Sequence, residues 1–172
     1  MTATGEGRTP PSVTLRPMSA EQFDQWQGCS IRSYADDLAK ATGWPLEAAL
    51  NKARKQFAGL LPAGMGTNKT WIRLIIDDAG DQVGTLWVGP NTERAGAAFV
   101  YNIEIMQKRR GLGFGRAAMI AAESLVKEAG EIEIGLTVFG FNEPARHLYD
   151  SLGYRVVATV MTKTIQSPLP GQ

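Results

Sequence analysis

The chain has 172 residues, 44% of them hydrophobic, and its 18 Lys and Arg against 17 Asp and Glu leave a net charge of +1. That length buries one α/β core without staples, and so even a charge balance speaks against a nucleic-acid-binding surface. The lone cysteine, Cys29, excludes an intramolecular disulfide and leaves no metal-cluster spacing, which makes a reducing cytoplasm the expected compartment and no metal the expected complement.

No apolar stretch approaches membrane-spanning length, so no membrane partner is expected. Residues 1–11 are Gly-, Thr- and Pro-rich without a hydrophobic signal core, and read as a disordered tail before one domain over 12–166. Val13 to Arg16 predicts a first strand. Ser19 is placed to cap a helix running to about Lys40, with Phe23, Trp26, Ser30, Tyr34 and Leu38 along one side. Trp44 and Pro45 open a second helix whose stripe is Leu46, Ala49, Leu50, Ala53, Phe57 and Leu60, and Pro62 ends it. Leu61 to Lys69 is a loop. Thr70 to Ile76 and Gln82 to Val88 read as strands joined by a hairpin turn over residues 77–81. Pro90 to Ala95 leads into a strand from Ala98 to Ile105, where Phe99, Tyr101, Ile103 and Ile105 alternate with Val100, Asn102 and Glu104.

Beyond a loop at 107–116 comes a helix with Ala118, Ala121, Ala122, Leu125, Val126 and Ala129 on one stripe, stopped by Gly130. Ile132, Ile134, Leu136 and Val138 alternate as a strand, Glu143 to Leu152 form a short helix, and Tyr154 to Lys163 predict a final strand before a frayed end at 167–172.

The loop carries the chemistry. Residues 107–116 read Gln-Lys-Arg-Arg-Gly-Leu-Gly-Phe-Gly-Arg. Glycines at 111, 113 and 115 let consecutive N–H groups turn toward one point, the following helix adds its positive dipole end, and Lys108, Arg109, Arg110 and Arg116 add formal charge. Such a loop suits a pyrophosphate. A phosphate loop ending in Gly-Lys-Ser/Thr is excluded, because Arg116 and Ala117 follow Gly115. A dinucleotide fingerprint survives in weak form through Gly113, Gly115 and Ala118, but only about two strands and one helix can follow, too few for a doubly wound domain.

Arg110-Gly-Leu-Gly113-Phe-Gly115 resembles the [Q/R]-x-x-G-x-[G/A] signature of the GNAT superfamily of N-acetyltransferases, and Asn142 to Tyr154 resembles its second motif: an Asn opening a helix, a small residue three on, then Tyr-x-x-x-Gly-aromatic. The resemblance is specific over about Ala98 to Lys163, and the looser upstream part is similar to an uncharacterised bacterial subgroup. It implies an α/β (α+β) fold, with a central mixed, mostly antiparallel twisted sheet of about six to seven strands flanked by about four helices. It also implies acetyl-CoA as cosubstrate, an amine of a small molecule or peptide as acceptor, and transfer without an acyl-enzyme; a homodimer is compatible with it.

Coenzyme contacts carried over from the family fall on Ile105, Met106, Arg110, Gly111, Leu112, Gly113, Phe114, Gly115, Arg116, Asn142, Ala145 and Tyr149. Among these, the main-chain N–H groups of Ile105 and Met106 are expected to hold the thioester oxygen, and Tyr149 to protonate the leaving thiolate. Asn142 is equally a helix N-cap. Glu104, an acid within an apolar strand, is the candidate base, by itself or through a water, its pKa expected to rise with burial; a solvated strand-face acid is the other reading. Tyr34 and Met65, on and after the first two helices, are the expected acceptor contacts, whereas Trp26 reads as core. The only histidine, His147, has no catalytic part, which removes triad hydrolases, and Cys29 lies far in sequence from both motifs. Two other classes stand beside this reading: a non-catalytic acyl-CoA-binding sensor, and an NAD(P)-binding oxidoreductase fragment.

Overall fold

The computed structural model describes residues 10–163 and 165. Strand β1 (Val13–Pro17) is followed by helices α1 (Ala20–Thr42) and α2 (Leu46–Leu60), strands β2 (Trp71–Asp77), β3 (Gln82–Pro90) and β4 (Ala97–Ile105), helix α3 (Phe114–Glu128), strand β5 (Glu133–Leu136) and helix α4 (Glu143–Ser151). The start of α1 follows from Ser19. Its Oγ accepts from the Gln22 N–H while the Gln22 side chain accepts from the Ser19 N–H, a reciprocal cap contributing about 1 kcal/mol.

The sheet runs β1-β2-β3-β4-β5, antiparallel throughout except for the parallel β4–β5 pair. That last pair extends only from Ala97 opposite Glu133 to Val100 opposite Leu136, so residues 101–105 of β4 keep an open edge among the described residues. Trp87 faces Asn102 and Val88 faces Val100, which leaves Tyr101 as an extra residue, a bulge, in β4.

Each face of the sheet covers its own core. On one, α3 and α4 pack over Ile75, Val83, Leu86, Val88, Ala98 and Val100. On the other, α1 and α2 bring Phe23, Trp26 and Phe57 onto Ile72, Leu74 and Trp87. Trp26 meets Trp87 edge-on at 5.6 Å between ring centroids, a geometry the ring quadrupoles favour by about 1 kcal/mol. The core reading of Trp26 therefore agrees with its position, and Ser30 on the same stripe is only 2% exposed.

The described sheet has five strands where six to seven were expected. The shortfall lies at the end of the chain. Residues 155–163 form no ladder, and β5 is confined to Glu133–Leu136 rather than 132–138. Alternation specifies an extended backbone, but a strand also needs a partner edge, and that is a non-local condition. Of the tail expected over 1–11, only residues 10 and 11 are described, and the frayed end at 167–172 lies outside the described residues.

Candidate active site

Three elements meet at the open edge of β4. Phe114 at the start of α3 and Tyr149 of α4 are buried in one cluster, against which Ile103, Ile105, Leu112, Ala145 and Leu148 pack. Gly113 is the N-cap of α3 with φ 92, a backbone that side chains with a Cβ rarely adopt, and no side chain caps the helix. Consequently, among the described residues, no N–H group from Gly111 to Arg116 is matched to a hydrogen-bond acceptor; the ladder resumes with the Ala117 N–H donating to the Gly113 carbonyl at 3.1 Å. Six consecutive donors at a helix N-terminus suit an anion, whose charge the helix dipole also favours.

The basic side chains of this loop are partly spoken for. The Arg110 Nε donates to the Ile105 carbonyl at 2.9 Å and ties the loop back to the strand. Arg109 turns instead to the β2–β3 hairpin, 3.3 Å from Asp77 and 2.9 Å from Asp81. Arg116 donates to Ser151 of α4. Sequence composition places four charges at the loop; side-chain reach, which composition does not encode, sends Arg109 elsewhere.

Of the two donors expected for a thioester oxygen, one is engaged. The Met106 N–H donates to the Val83 carbonyl at 2.9 Å, the last rung between β3 and β4. Consecutive N–H groups of a strand point to opposite sides, so the Ile105 N–H faces away from β3, toward the edge that β5 has left. Ile105 is therefore placed to donate into the gap and Met106 is not.

Tyr149 is 9% exposed, and its hydroxyl makes no hydrogen bond to another described residue. Burial pushes its pKa above the ordinary value, so it is a protonated phenol throughout the neutral range. Asn142 caps α4, its Oδ1 accepting from the Ala145 N–H at 3.3 Å, so both residues serve the helix start that aims Tyr149 inward.

Glu104 lies on the opposite face of the sheet. Past the bulge, Asn102 and Glu104 share the side of Trp87 and Thr85, the side of α1, while Ile103 and Ile105 face α3. Glu104 is exposed, so of its two readings the burial expected to raise its pKa is not met and the solvent-facing strand acid is: its neighbours on that side stop short and leave an open cleft of about 230 Å³. Gln22, Gln25, Cys29 and Ser30 of α1, Gln82 and Thr85 of β3, and Met106 line it. Gly84 lets the strands close beneath it, since a Cβ there would collide with the Glu104 carbonyl oxygen.

A larger hollow of about 460 Å³ along Gly28, Arg32 and Asp36 is walled by α1 alone and converges on no candidate group. Tyr34 and Met65 do not line the Glu104 cleft. Tyr34 is half-buried, donates to Gln56 at 3.1 Å and packs on Phe57 and Phe139, while Met65 sits exposed on a single 3-10 turn, Gly64–Gly66. The residues missed were Gln22, Gln25 and Cys29. Their spacing of three and four residues, next to the apolar stripe of Phe23, Trp26 and Ser30, was the available signal. Among the described residues, no group of three or more His, Cys, Asp or Glu is placed to hold a metal ion, and no helix is long and apolar enough to cross a membrane.

An antiparallel sheet ending in one parallel pair that splays, with a donor-rich helix start in the splay, defines an acyl-CoA-dependent transferase architecture. Residues 32–154 match the model of the Acetyltransferase (GNAT) family, and the chain belongs to that family. It is similar to the uncharacterized N-acetyltransferase YycN of Bacillus subtilis, 29% identical over 155 residues that span 90% of this chain and 99% of YycN. The crystal structure of YycN superposes with a TM-score of 0.84, covering 91% of this chain and all of that one. A mycothiol acetyltransferase of Thermobispora bispora is 29% identical over 84% of this chain, which spans 47% of its length. The structure of AAC(6')-Iy in complex with a CoA-containing bisubstrate analog shares the fold, with a TM-score of 0.56 at 15% identity. The chain is thus a GNAT-type acetyltransferase that uses acetyl-CoA as its cosubstrate.

Proposed function

We propose that this enzyme transfers the acetyl group directly from acetyl-CoA to a primary amine in the cytoplasm, without an acyl-enzyme. The observation that carries the coenzyme's position is the run of six unmatched N–H groups at residues 111–116 beside the open edge of β4. Those groups, with Arg110 and Arg116 at their flanks, hold the pyrophosphate. The Ile105 N–H donates to the thioester oxygen as negative charge develops there.

The acceptor enters on the α1 side, through the cleft at Glu104, which takes the proton lost by the attacking nitrogen, itself or through a water. Tyr149 lies across the sheet, on the α3 side, and gives its proton to the departing sulfur; solvent restores it. Base and acid thus stand on either side of the gap between β4 and β5, so the attacking nitrogen gives up its proton on one side of the tetrahedral intermediate and the departing sulfur receives one from the other. The cleft offers one carboxylate and several amide and hydroxyl groups, and among its lining residues no cation, which suits a positively charged amine.

A mass-spectrometric screen tests this reading. The purified chain is incubated with acetyl-CoA and a panel of small amines, polyamines, antibiotics and peptides, and each amine is scored for a gain of one acetyl group. Acetylation of amines with matching release of free CoA is the expected result. A stable acetyl adduct on the protein, or acetylation confined to hydroxyl or thiol acceptors, would overturn it.

A further inference from the structure

The loop that presents the six N–H groups is held from outside itself. A 3-10 turn over Gln107–Arg109 opens it, with the Arg109 N–H donating to the Met106 carbonyl at 2.7 Å and the Arg110 N–H to that of Gln107 at 3.3 Å; Gly111 and Gly113, both at positive φ, follow. Glycine loses more backbone freedom on ordering than any other residue. A loop so composed stays aligned only through ties to its surroundings, and Arg110, on the Ile105 carbonyl, supplies one of them.

Arg109 supplies a second, to an element remote in sequence. Its two terminal nitrogens meet separate carboxylates of the β2–β3 hairpin, Nη1 3.3 Å from Asp77 and Nη2 donating to Asp81 at 2.9 Å. Asp77 is itself fixed. Its Oδ1 accepts from the N–H groups of Ala79 and Asp81 at 3.1 and 2.9 Å, and its side chain is 9% exposed against 35% for Arg109. A freely exposed ion pair contributes little, but a guanidinium fork on two carboxylates, one of them shielded and anchored to main chain, holds its geometry.

The same hairpin steadies the far end of the loop. Asp78 accepts from the Ser12 hydroxyl, and the neighbouring Pro11 ring lies against Gly113, where a Cβ would come within 3.0 Å of it. Hairpin, Arg109, loop and residues 11–12 therefore close a ring of contacts, with the N-cap of α3 as one link. The two carboxylates also occupy the Arg109 fork, so its charge is spent on the hairpin and not on a phosphate.

We propose that Arg109 is a positioning residue for the coenzyme: by tying residues 107–113 to Asp77 and Asp81, it keeps the 111–116 N–H groups aligned before the pyrophosphate binds. This rests on the pyrophosphate reading of those groups given above. Alignment in advance lowers the cost of binding, so loss of the tie should appear in affinity for the part of the coenzyme that carries the pyrophosphate.

Calorimetry on the full chain with CoA, and with pantetheine measured by displacement, tests this, since pantetheine lacks the pyrophosphate. Arg109→Gln should weaken CoA about tenfold and leave pantetheine within twofold. Asp81→Asn alters a carboxylate that is 64% exposed and should weaken CoA about threefold or more. The double variant should bind CoA as Arg109→Gln does, because both changes break one tie. Tighter CoA binding in Asp81→Asn would overturn the proposal, making Arg109 a phosphate ligand that the hairpin restrains. So would unchanged CoA affinity in Arg109→Gln, an equal loss toward pantetheine, which marks general damage to the fold, or additive losses in the double variant. Should Arg109→Gln not fold, Asp81→Asn decides alone by the direction of its effect, with unchanged affinity counting against the tie. Equal affinity of the unaltered chain for CoA and pantetheine is a separate result: it would sink the pyrophosphate reading itself.

Discussion

Replacing Tyr149 by Phe removes one oxygen and leaves the ring in place. The ring is nearly buried and packs with Phe114 and the partly buried Ile105 and Leu148, contacts that phenylalanine keeps. The hydroxyl has no protein hydrogen-bond partner among the described residues, so its loss strands no buried group, and stability should stay within about 1 kcal/mol. Proton donation to a leaving group is typically a 10²-fold effect or more, about 2.7 kcal/mol of activation free energy. The two effects differ enough to be separated. Free CoA release is followed under saturating acetyl-CoA with an acceptor found by screening, alongside a thermal melt. Expected is a kcat lower by about 10²-fold with coenzyme affinity and Tm close to those of the unaltered chain. An unchanged kcat removes Tyr149 from the chemistry, and a fall in kcat matched by a large fall in Tm makes its role one of packing.

Glu104→Gln should shift the lower limb of the pH profile of kcat/KM; a limb with the same midpoint returns the base role to a water or to the acceptor's own pKa. Gly113→Ala forces a Cβ onto a residue at φ 92, where it would also meet Pro11 at 3.0 Å. The strain, ~1–3 kcal/mol, should turn the 111–116 N–H groups out of alignment and weaken coenzyme binding roughly 10-fold or more, measured by calorimetry. Cys29 lines the cleft, yet direct transfer does not use it, so Cys29→Ser should retain turnover within about threefold; loss of turnover with loss of a protein-bound acetyl group would contradict direct transfer. Burial raises the pKa of Tyr34, Tyr101, Tyr149 and Tyr154 above the ordinary tyrosine value of 10.0, so the folded chain holds protons that the unfolded chain releases. That stabilisation is intact below about pH 10 and lost as pH rises above it, so Tm should hold up to pH 10 and fall between pH 10 and 12; a flat Tm over that range would contradict it.

The elements most readable from the residues were those specified locally. Ser19 and Gln22 state where α1 begins, the turn at 77–81 states the hairpin, and glycines 111 to 115 between a strand and a helix state the donor-rich loop. What escaped depended on partners distant in sequence. Nothing near Arg109 predicts that it reaches Asp77 and Asp81, 28 to 32 positions back. Glu104 sits in an apolar run, but its burial depends on how far α1 extends over β4, and the polar stripe of Gln22, Gln25 and Cys29 keeps that contact open. Tyr34 is expected at the acceptor because the family resemblance places the first two helices along that side; in the structure its hydroxyl donates to Gln56 and its ring packs on Phe139, contacts distant in sequence. Met106 is paired with Ile105 as a donor by the family resemblance, but consecutive N–H groups of a strand point to opposite sides, and that of Met106 is taken by the Val83 carbonyl.

The extra residue at Tyr101 sets the phase of everything beyond it on β4. Before the bulge, Ala98 and Val100 face α3; after it, Ile103 and Ile105 do, so Asn102 and Glu104 are delivered to the α1 side in step with Thr85 and Trp87. The strand thereby separates two inheritances: positions 103 and 105 answer to the core under α3, position 102 to the packing on the α1 side, and position 104 to the open cleft. The side chain at 104 can be exchanged without disturbing the packing under α3. Loss of Tyr101 itself would close the bulge and leave Asn102 opposite Trp87, whereas loss of one residue past it, at 103, would set Glu104 opposite Leu86 in the core and Ile105 opposite Thr85, so this stretch of β4 tolerates substitution at 104 but not deletion beyond the bulge.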